Sequence, residues 1–278
     1  MTKSKQLGKI IFAGAGPGDP ELISIKAMRA LCLAEVVITD RLVSQAIINE
    51  YVKDTALLIH VGKQYGNKSS TPQAVINDLL IKYALQGKMV VRLKGGDISL
   101  FSNILDELLA LEANNIEYEL IPGISAASGA AAFCGIPLTA RGFSTSVRYL
   151  TFYESTILGK SHWKELANTS DTLVFYMSSD KVIELSENLC SNGIAINAHL
   201  ALIEQASTPN QRSFVTPIYD FVKIHGSKRF ISPSLIIIGT VVGLHKKFNW
   251  FKEKIVSESY FPIISEKNNS NNLNDAES

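Results

Sequence analysis

The chain has 278 residues, 46% of them hydrophobic, and 27 Lys and Arg against 26 Asp and Glu give it a formal charge of +1. That length builds one large domain or two ordinary ones with real cores. The near-zero charge supplies no general field for nucleic acid or an anionic membrane, so recognition of an acidic ligand has to come from local clusters of Lys and Arg. Cys32, Cys134 and Cys190 form no CxxC pair, and the five histidines show no HxxxH or HExxH spacing. Both facts argue against a disulfide framework and against a metal site.

The opening MTKSKQLGK is basic but lacks the apolar core of a signal peptide, and no apolar run of membrane-spanning length follows. A soluble, cytoplasmic protein with no membrane partner is expected. From Lys9 onward KIIFA, EVVIT, LLIHV, MVVRL and EYELI are short, almost continuously apolar runs. Strands of a parallel sheet covered on both faces read this way. Between them PELISIKAMRALCLA, SQAIINEYV, TPQAVINDLLIKYALQG and SNILDELLALEANN carry helical apolar spacing, the third stopping at Gly87. The alternation predicts an open α/β sheet. Residues 122–146 are rich in Gly, Ala and Ser and read as a junction where backbones pack closely. RYLTFY, TLVFYM, HLALIE, RSFVT and SLIIIG then supply new strands, separated by helical stretches near 161–168, 180–192 and 217–224. The expected organisation is an N-terminal α/β domain at 8–122, a C-terminal α/β domain at 123–251, and a disordered tail at 252–278, where KNNSNNLNDAES has almost nothing to bury.

Two glycine loops follow strands and end in Gly-Asp: GAGPGD at 14–19 and KGGD at 94–97. Loops at the carboxyl ends of strands in open α/β sheets are the usual ligand positions. An aspartate there disfavours pyrophosphate and favours hydroxyl or ammonium groups, and Pro17 removes an N–H that an anion would use. The pattern points away from NAD and ATP. It suits a cofactor with a ribose, an amino-acid end and a positive centre, such as S-adenosylmethionine. Asp19 reads equally well as a helix N-cap with Pro20 at the first helical position, and Asp97 as a turn aspartate.

The chain resembles the tetrapyrrole methylase family, and within it the uroporphyrinogen-III C-methyltransferases, from about Lys9 to Phe251. The resemblance is carried by GAGPGDPEL at 14–22, DRLVS at 40–44, VGK at 61–63, VVRLKGGD at 90–97, PGISAASGAAAFCGIPLT at 122–139, SVR at 146–148, TLVFYM at 172–177, TPNQR at 208–212 and SPSLIIIG at 232–239. It implies two α/β domains with a cofactor and substrate cleft between them, a homodimer, and S-adenosylmethionine as methyl donor without a metal. The implied reaction is methylation of uroporphyrinogen III at C2 and C7 to give precorrin-2, the precursor of sirohaem and in some organisms of cobalamin. The implied cofactor contacts are Pro17, Gly95, Gly96, Asp97, Leu100, Ser125, Ala126, Met177 and Ala206. Asp40 matches the proton acceptor and Lys63 the proton donor. Many relatives carry an additional dehydrogenase and ferrochelatase portion; with the first strand near residue 9, oxidation and iron insertion are expected to fall to other proteins.

A substrate rich in carboxylates needs a basic rim. The candidates are Arg41, Lys63, Arg92, Lys94, Arg141, Arg148 and Arg212, with Arg41, Arg141 and Arg148 preferred. The sequence also departs from the family. The usual PFIFGRGGEE after KGGD is ISLFSNILDE, which suggests an earlier helix start capped by Ser102. Ala140 replaces a histidine, Glu154 a small or basic residue, and Ser178 and Ala206 replace glycines. A methylase acting at a different ring carbon, or a non-catalytic tetrapyrrole-binding protein, are the competing readings.

Overall fold

Strands of a central parallel sheet lose both faces to helices, and the run Ile10–Gly14 (β1) shows it, with every residue buried. The computed structural model describes residues 7–62, 71–152, 160–254 and 260–261. The chain divides into two compact units, Met1–Ser125 with Glu258–Ser278, and Ala126–Ser257.

In the first unit β1 is joined by Val36–Asp40 (β2), Leu57–Val61 (β3), Val90–Lys94 (β4) and Tyr118–Ile121 (β5). The order is β3-β2-β4-β1-β5, and every neighbouring pair is parallel. Helices Ile25–Leu33 (α1) and Gln45–Tyr51 (α2) cover one face through Ala27, Leu31 and Ile47. Gln73–Leu85 (α3) and Leu105–Ala113 (α4) cover the other through Ile76, Leu80 and Leu111. Each fully buried Leu or Ile of this kind contributes about 1.5–3 kcal/mol.

Two local expectations need correction. The helix expected from Pro20 is broken: Pro20–Leu22 is a single 3-10 turn, and α1 begins only after Ser24, whose Oγ accepts from Ala27 N at 3.3 Å. Nor does the altered loop start its helix early. Phe101 and Asn103 adopt left-handed backbone (φ 53° and 56°), which a helix cannot accommodate, and α4 starts at Leu105 with Ile104 as its cap. Ser102 instead donates its hydroxyl to Ile98 O.

The second unit is a mixed sheet of Val147–Thr151 (β6), Thr172–Tyr176 (β7), His199–Glu204 (β8), Arg212–Pro217 (β9) and Ser234–Gly239 (β10), ordered β6-β7-β10-β8-β9. Only β6 and β7 are parallel. The division between the two units falls inside the small-residue segment 122–146, and part of that segment is a helix, Ala126–Phe133 (α5). Its Ala127, Ala130 and Ala131 pack on Val174, Ala201 and Ile237, so the small side chains are set by closeness to the sheet. On the opposite face, helices Lys160–Asn168 (α6), Val182–Ser191 (α7) and Ile218–His225 (α8) bury Leu166, Leu185 and Phe221. A short helix, His245–Phe248 (α9), precedes Trp250, whose Nε1 donates to Ala132 O. Of the expected tail, Tyr260 and Phe261 are placed in the first unit, with Gln45 N donating to Tyr260 O at 3.4 Å; residues 255–259 and 262–278 lie outside the described residues.

Candidate functional site

Because β1 and β4 are neighbours, the two glycine–aspartate loops leave the sheet side by side. Ala15 N donates to Lys94 O at 2.8 Å, while Gly16 and Gly96 exchange backbone hydrogen bonds at 3.1 and 2.8 Å. The chain following β5 closes in as well: a Cβ on Gly14 would lie 2.6 Å from both Gly123 N and Gly96 O. Gly95 is packed as tightly, its absent Cβ position lying 2.6 Å from Leu42 O of the DRLVS segment. Ser44 of that segment donates its hydroxyl to Gly18 O at 2.7 Å. Four strand ends thus share one backbone-to-backbone assembly, and half-buried Pro17 lies within it.

Both loop aspartates work on backbone. Asp19 accepts from Glu21 N at 3.0 Å and caps the 3-10 turn, with Pro20 at its first position, as one of the two sequence readings holds. Asp97 accepts from Ser99 N through Oδ1 and from Gly123 N through Oδ2, each at 2.9 Å. Burial pushes its carboxyl up, but the hydrogen bonds from Ser99, Gly123 and Ile98 outweigh that and hold it below the usual carboxylate range. The loop runs on through half-buried Leu100. Beside it is a mainly apolar hollow of about 220 Å³ lined by Asp97, Ile98, Ser99, Ile104, Leu120 and Pro122.

Asp40 ends β2 and heads a charged cluster that the sequence did not reveal. Arg92 Nη2 donates to Asp40 Oδ1 at 2.6 Å. The same guanidinium grips Glu107 of α4 through Nε at 3.0 Å and Nη2 at 3.2 Å. Lys94 Nζ lies 2.9 Å from Glu107 Oε1 and 3.8 Å from Asp40 Oδ2. Arg92, Lys94 and Glu107 are only 1%, 4% and 1% exposed, so the first two lie inside and not on the expected basic rim. Burial opposes the Arg92 charge, but Asp40 and Glu107 outweigh it and hold the guanidinium above its ordinary value. The period-two placement of Arg92 and Lys94 on a buried strand was the available signal, since two buried cations on one face require an acid.

The other expected residues are placed as follows. Arg41 is half-buried, and desolvation pushes its guanidinium down. Lys63 and Glu154 lie outside the described residues. Ser125 is half-buried where the first unit ends. In the second unit, half-buried Ala126 opens α5. Met177, just past the end of β7, is 45% exposed and left-handed, φ 53°. Ser178, where relatives commonly have glycine, is 1% exposed and useful, accepting from Phe152 N at 2.9 Å and donating to Tyr176 O at 2.7 Å. Ala206 is half-buried between Gln205 and Ser207, whose φ values are 46° and 64°. Arg141 is exposed. Arg148 is engaged, by Asp171 and by Glu165 at 2.6 Å.

An all-parallel sheet with glycine–aspartate loops at its carboxyl ends, followed by a mixed sheet, defines a class III methyltransferase fold. Residues 9–222 match the family described as Tetrapyrrole (Corrin/Porphyrin) Methylases. A sirohaem synthase of Ruthia magnifica subsp. Calyptogena magnifica is 40% identical over 252 residues, covering 91% of this chain and 53% of the relative. The chain thus spans about half the length of the curated relatives it matches. Among solved structures, a uroporphyrin-III C-methyltransferase from Thermus thermophilus superposes with TM-score 0.69 at 33% identity, over 87% of this chain and 96% of that one. The Thermus thermophilus enzyme complexed with S-adenosylhomocysteine gives TM-score 0.69 at 29% identity, over 84% and 93%. The chain belongs to the tetrapyrrole methylase family.

Proposed function

We propose that the chain is an S-adenosylmethionine-dependent methyltransferase that methylates uroporphyrinogen III at C2 and C7, giving precorrin-2 for sirohaem synthesis. The observation that carries this reading is the interlocked set of strand ends: two glycine–aspartate loops joined through Gly16 and Gly96, with Asp40 on the next strand. The likeness to sirohaem synthases and to uroporphyrin-III C-methyltransferases supports it.

The residues fit the methyl donor. Gly95 presents backbone where any side chain would collide, Gly96 takes the left-handed φ of 68° that favours glycine, and Asp97, by holding Gly123 and Ser99, fixes that backbone. In the first unit Pro17, Gly95, Gly96, Asp97, Leu100 and Ser125 are assigned to the cofactor; in the second, Ala126, Met177 and Ala206. When bound, S-adenosylmethionine supplies a sulfonium-activated methyl group to an electron-rich pyrrole carbon. The chain's task is alignment and exclusion of water, followed by removal of a proton from the methylated ring. Asp40 is the acceptor, through Oδ2, because Oδ1 is held by Arg92. Lys63 is the donor. Arg41 and Arg141 are the first candidates to meet substrate carboxylates, ahead of Arg148, whose guanidinium already spans Asp171 and Glu165. By family likeness the protein is a cytoplasmic homodimer, which light scattering on the purified chain would check.

The test is incubation with S-adenosylmethionine and uroporphyrinogen III under reducing, anaerobic conditions. The expected product has gained two methyl groups by mass. A single methyl at another carbon would make it a methylase of different position, and cofactor binding without turnover would make it a binding protein.

A further inference from the structure

The buried cluster behind Asp40 goes beyond what the family assignment supplies. Resting on the reading of Asp40 as proton acceptor, we propose that Glu107 is a positioning residue that sets the proton affinity of Asp40 through Arg92 and Lys94. Glu107 takes Arg92 Nε and Nη2 at 3.0 and 3.2 Å and Lys94 Nζ at 2.9 Å. The same Nη2 donates to Asp40, so Glu107 and Asp40 divide one guanidinium between them. Arg92 Nη1 is tied to Ile38 O at 3.3 Å, which fixes the fork relative to β2.

Two cations and two carboxylates make the quartet neutral overall. Its three inner members are closed off, whereas the Asp40 side chain keeps 26% exposure. Burying such a group carries a desolvation cost for each ion that pairing must offset, and apolar residues would fill the space without it. Its distinctive consequence is electrostatic. With Glu107 charged, much of the field of Arg92 and Lys94 is spent inside. With Glu107 neutral, both cations act on Asp40 and hold its proton off more strongly, giving a weaker base. β3 places apolar Val61 opposite Asp40, His60 belongs to the opposite face of the sheet by alternation, and Arg41 is the next residue in the chain.

The test uses the full chain and titrates the Asp40 carboxyl by carbon-13 NMR of aspartate-labelled protein, the signal being assigned with Asp40→Asn. Glu107→Gln is expected to lower the Asp40 titration midpoint by about one pH unit. It should also cut kcat by about tenfold while leaving cofactor affinity within about twofold. Lys94→Met removes charge from the other side and should move the midpoint upward. These opposite signs distinguish field-setting from structural support, and Lys94→Met also serves if Glu107→Gln does not fold. A midpoint unmoved in either folded variant, or moved the same way in both, overturns the proposal. Turnover of Asp40→Asn is read separately. Loss of activity there with an unmoved midpoint in Glu107→Gln sinks only the positioning role, whereas full activity in Asp40→Asn sinks the acceptor reading beneath it.

Discussion

Gly123→Ala tests whether the strand ends are interlocked as closely as the geometry says. A Cβ there would lie 2.3 Å from Gly96 O and 2.8 Å from Gly14 Cα, both backbone atoms that no rotamer change can move aside. Ordinary carbon contacts need about 3.5–4.0 Å, so the segments must part by more than about 1 Å. Overpacking of that kind costs about 1–3 kcal/mol. The parting also stretches the Gly123 N to Asp97 Oδ2 bond, now 2.9 Å, and a bond to a charged acceptor is worth about 1.5–3 kcal/mol. A total near 3 kcal/mol is expected, equivalent to a melting shift of about 10 °C. Scanning calorimetry would read it, with isothermal titration of the cofactor reading at least a tenfold loss of affinity. Gly142→Ala is the control. Its φ is 80°, but an added Cβ meets nothing within 4 Å, so it should cost only the left-handed strain of about 1 kcal/mol. If Gly123→Ala melts no lower than Gly142→Ala, the close packing of the loops is wrong.

The Asp97 carboxyl is held below its unfolded value, which is near 3.9, so its contribution is complete above about pH 4 and is lost as pH falls through the lower folded value. Melting curves of wild type and Asp97→Asn should therefore differ by a constant amount from about pH 5 to 7 and converge below about pH 4; a gap indifferent to acid would mean that the charge does not tie the loops. Met177→Gly removes a left-handed methionine that costs about 1 kcal/mol, so the variant should melt no lower than wild type. Its cofactor affinity should nonetheless fall several-fold, and unchanged calorimetric affinity would dismiss Met177 as a contact.

Much of the first sheet was legible because strands buried on both faces leave continuous apolar runs, and all five were found at nearly their observed bounds. Their order was not, since β1 pairs with β4 and β5 through contacts distant in sequence. The α5 helix was hidden by its own composition: Ala, Gly and Ser signal close approach whether the chain turns or coils. Of the candidate site, Asp19 as a cap was readable from the Asp-Pro pair. Glu107 was not, because nothing local in α4 says that its carboxylate turns inward to a strand ended 13 residues earlier, at Lys94.

The reshaped loop after Asp97 shows how the missing glycines are replaced. Left-handed backbone is cheap for glycine and tolerable for asparagine, yet Phe101 takes it at φ 53° and Asn103 at 56°. Such residues cost about 1–3 kcal/mol each and persist only where their surroundings over-determine them. Here Ile98 is buried, Ser99 N bonds Asp97, and the Ser102 hydroxyl returns to Ile98 O. The conformation is therefore set by one anchored side chain and a chain of local bonds. It follows that Asp97, far from being an isolated ligand group, is the point through which this loop and Gly123 are kept in one arrangement, next to the Gly96–Gly16 backbone pair that ties in the β1 turn. Substitutions at Asp97 should consequently disturb every function these strand ends serve together.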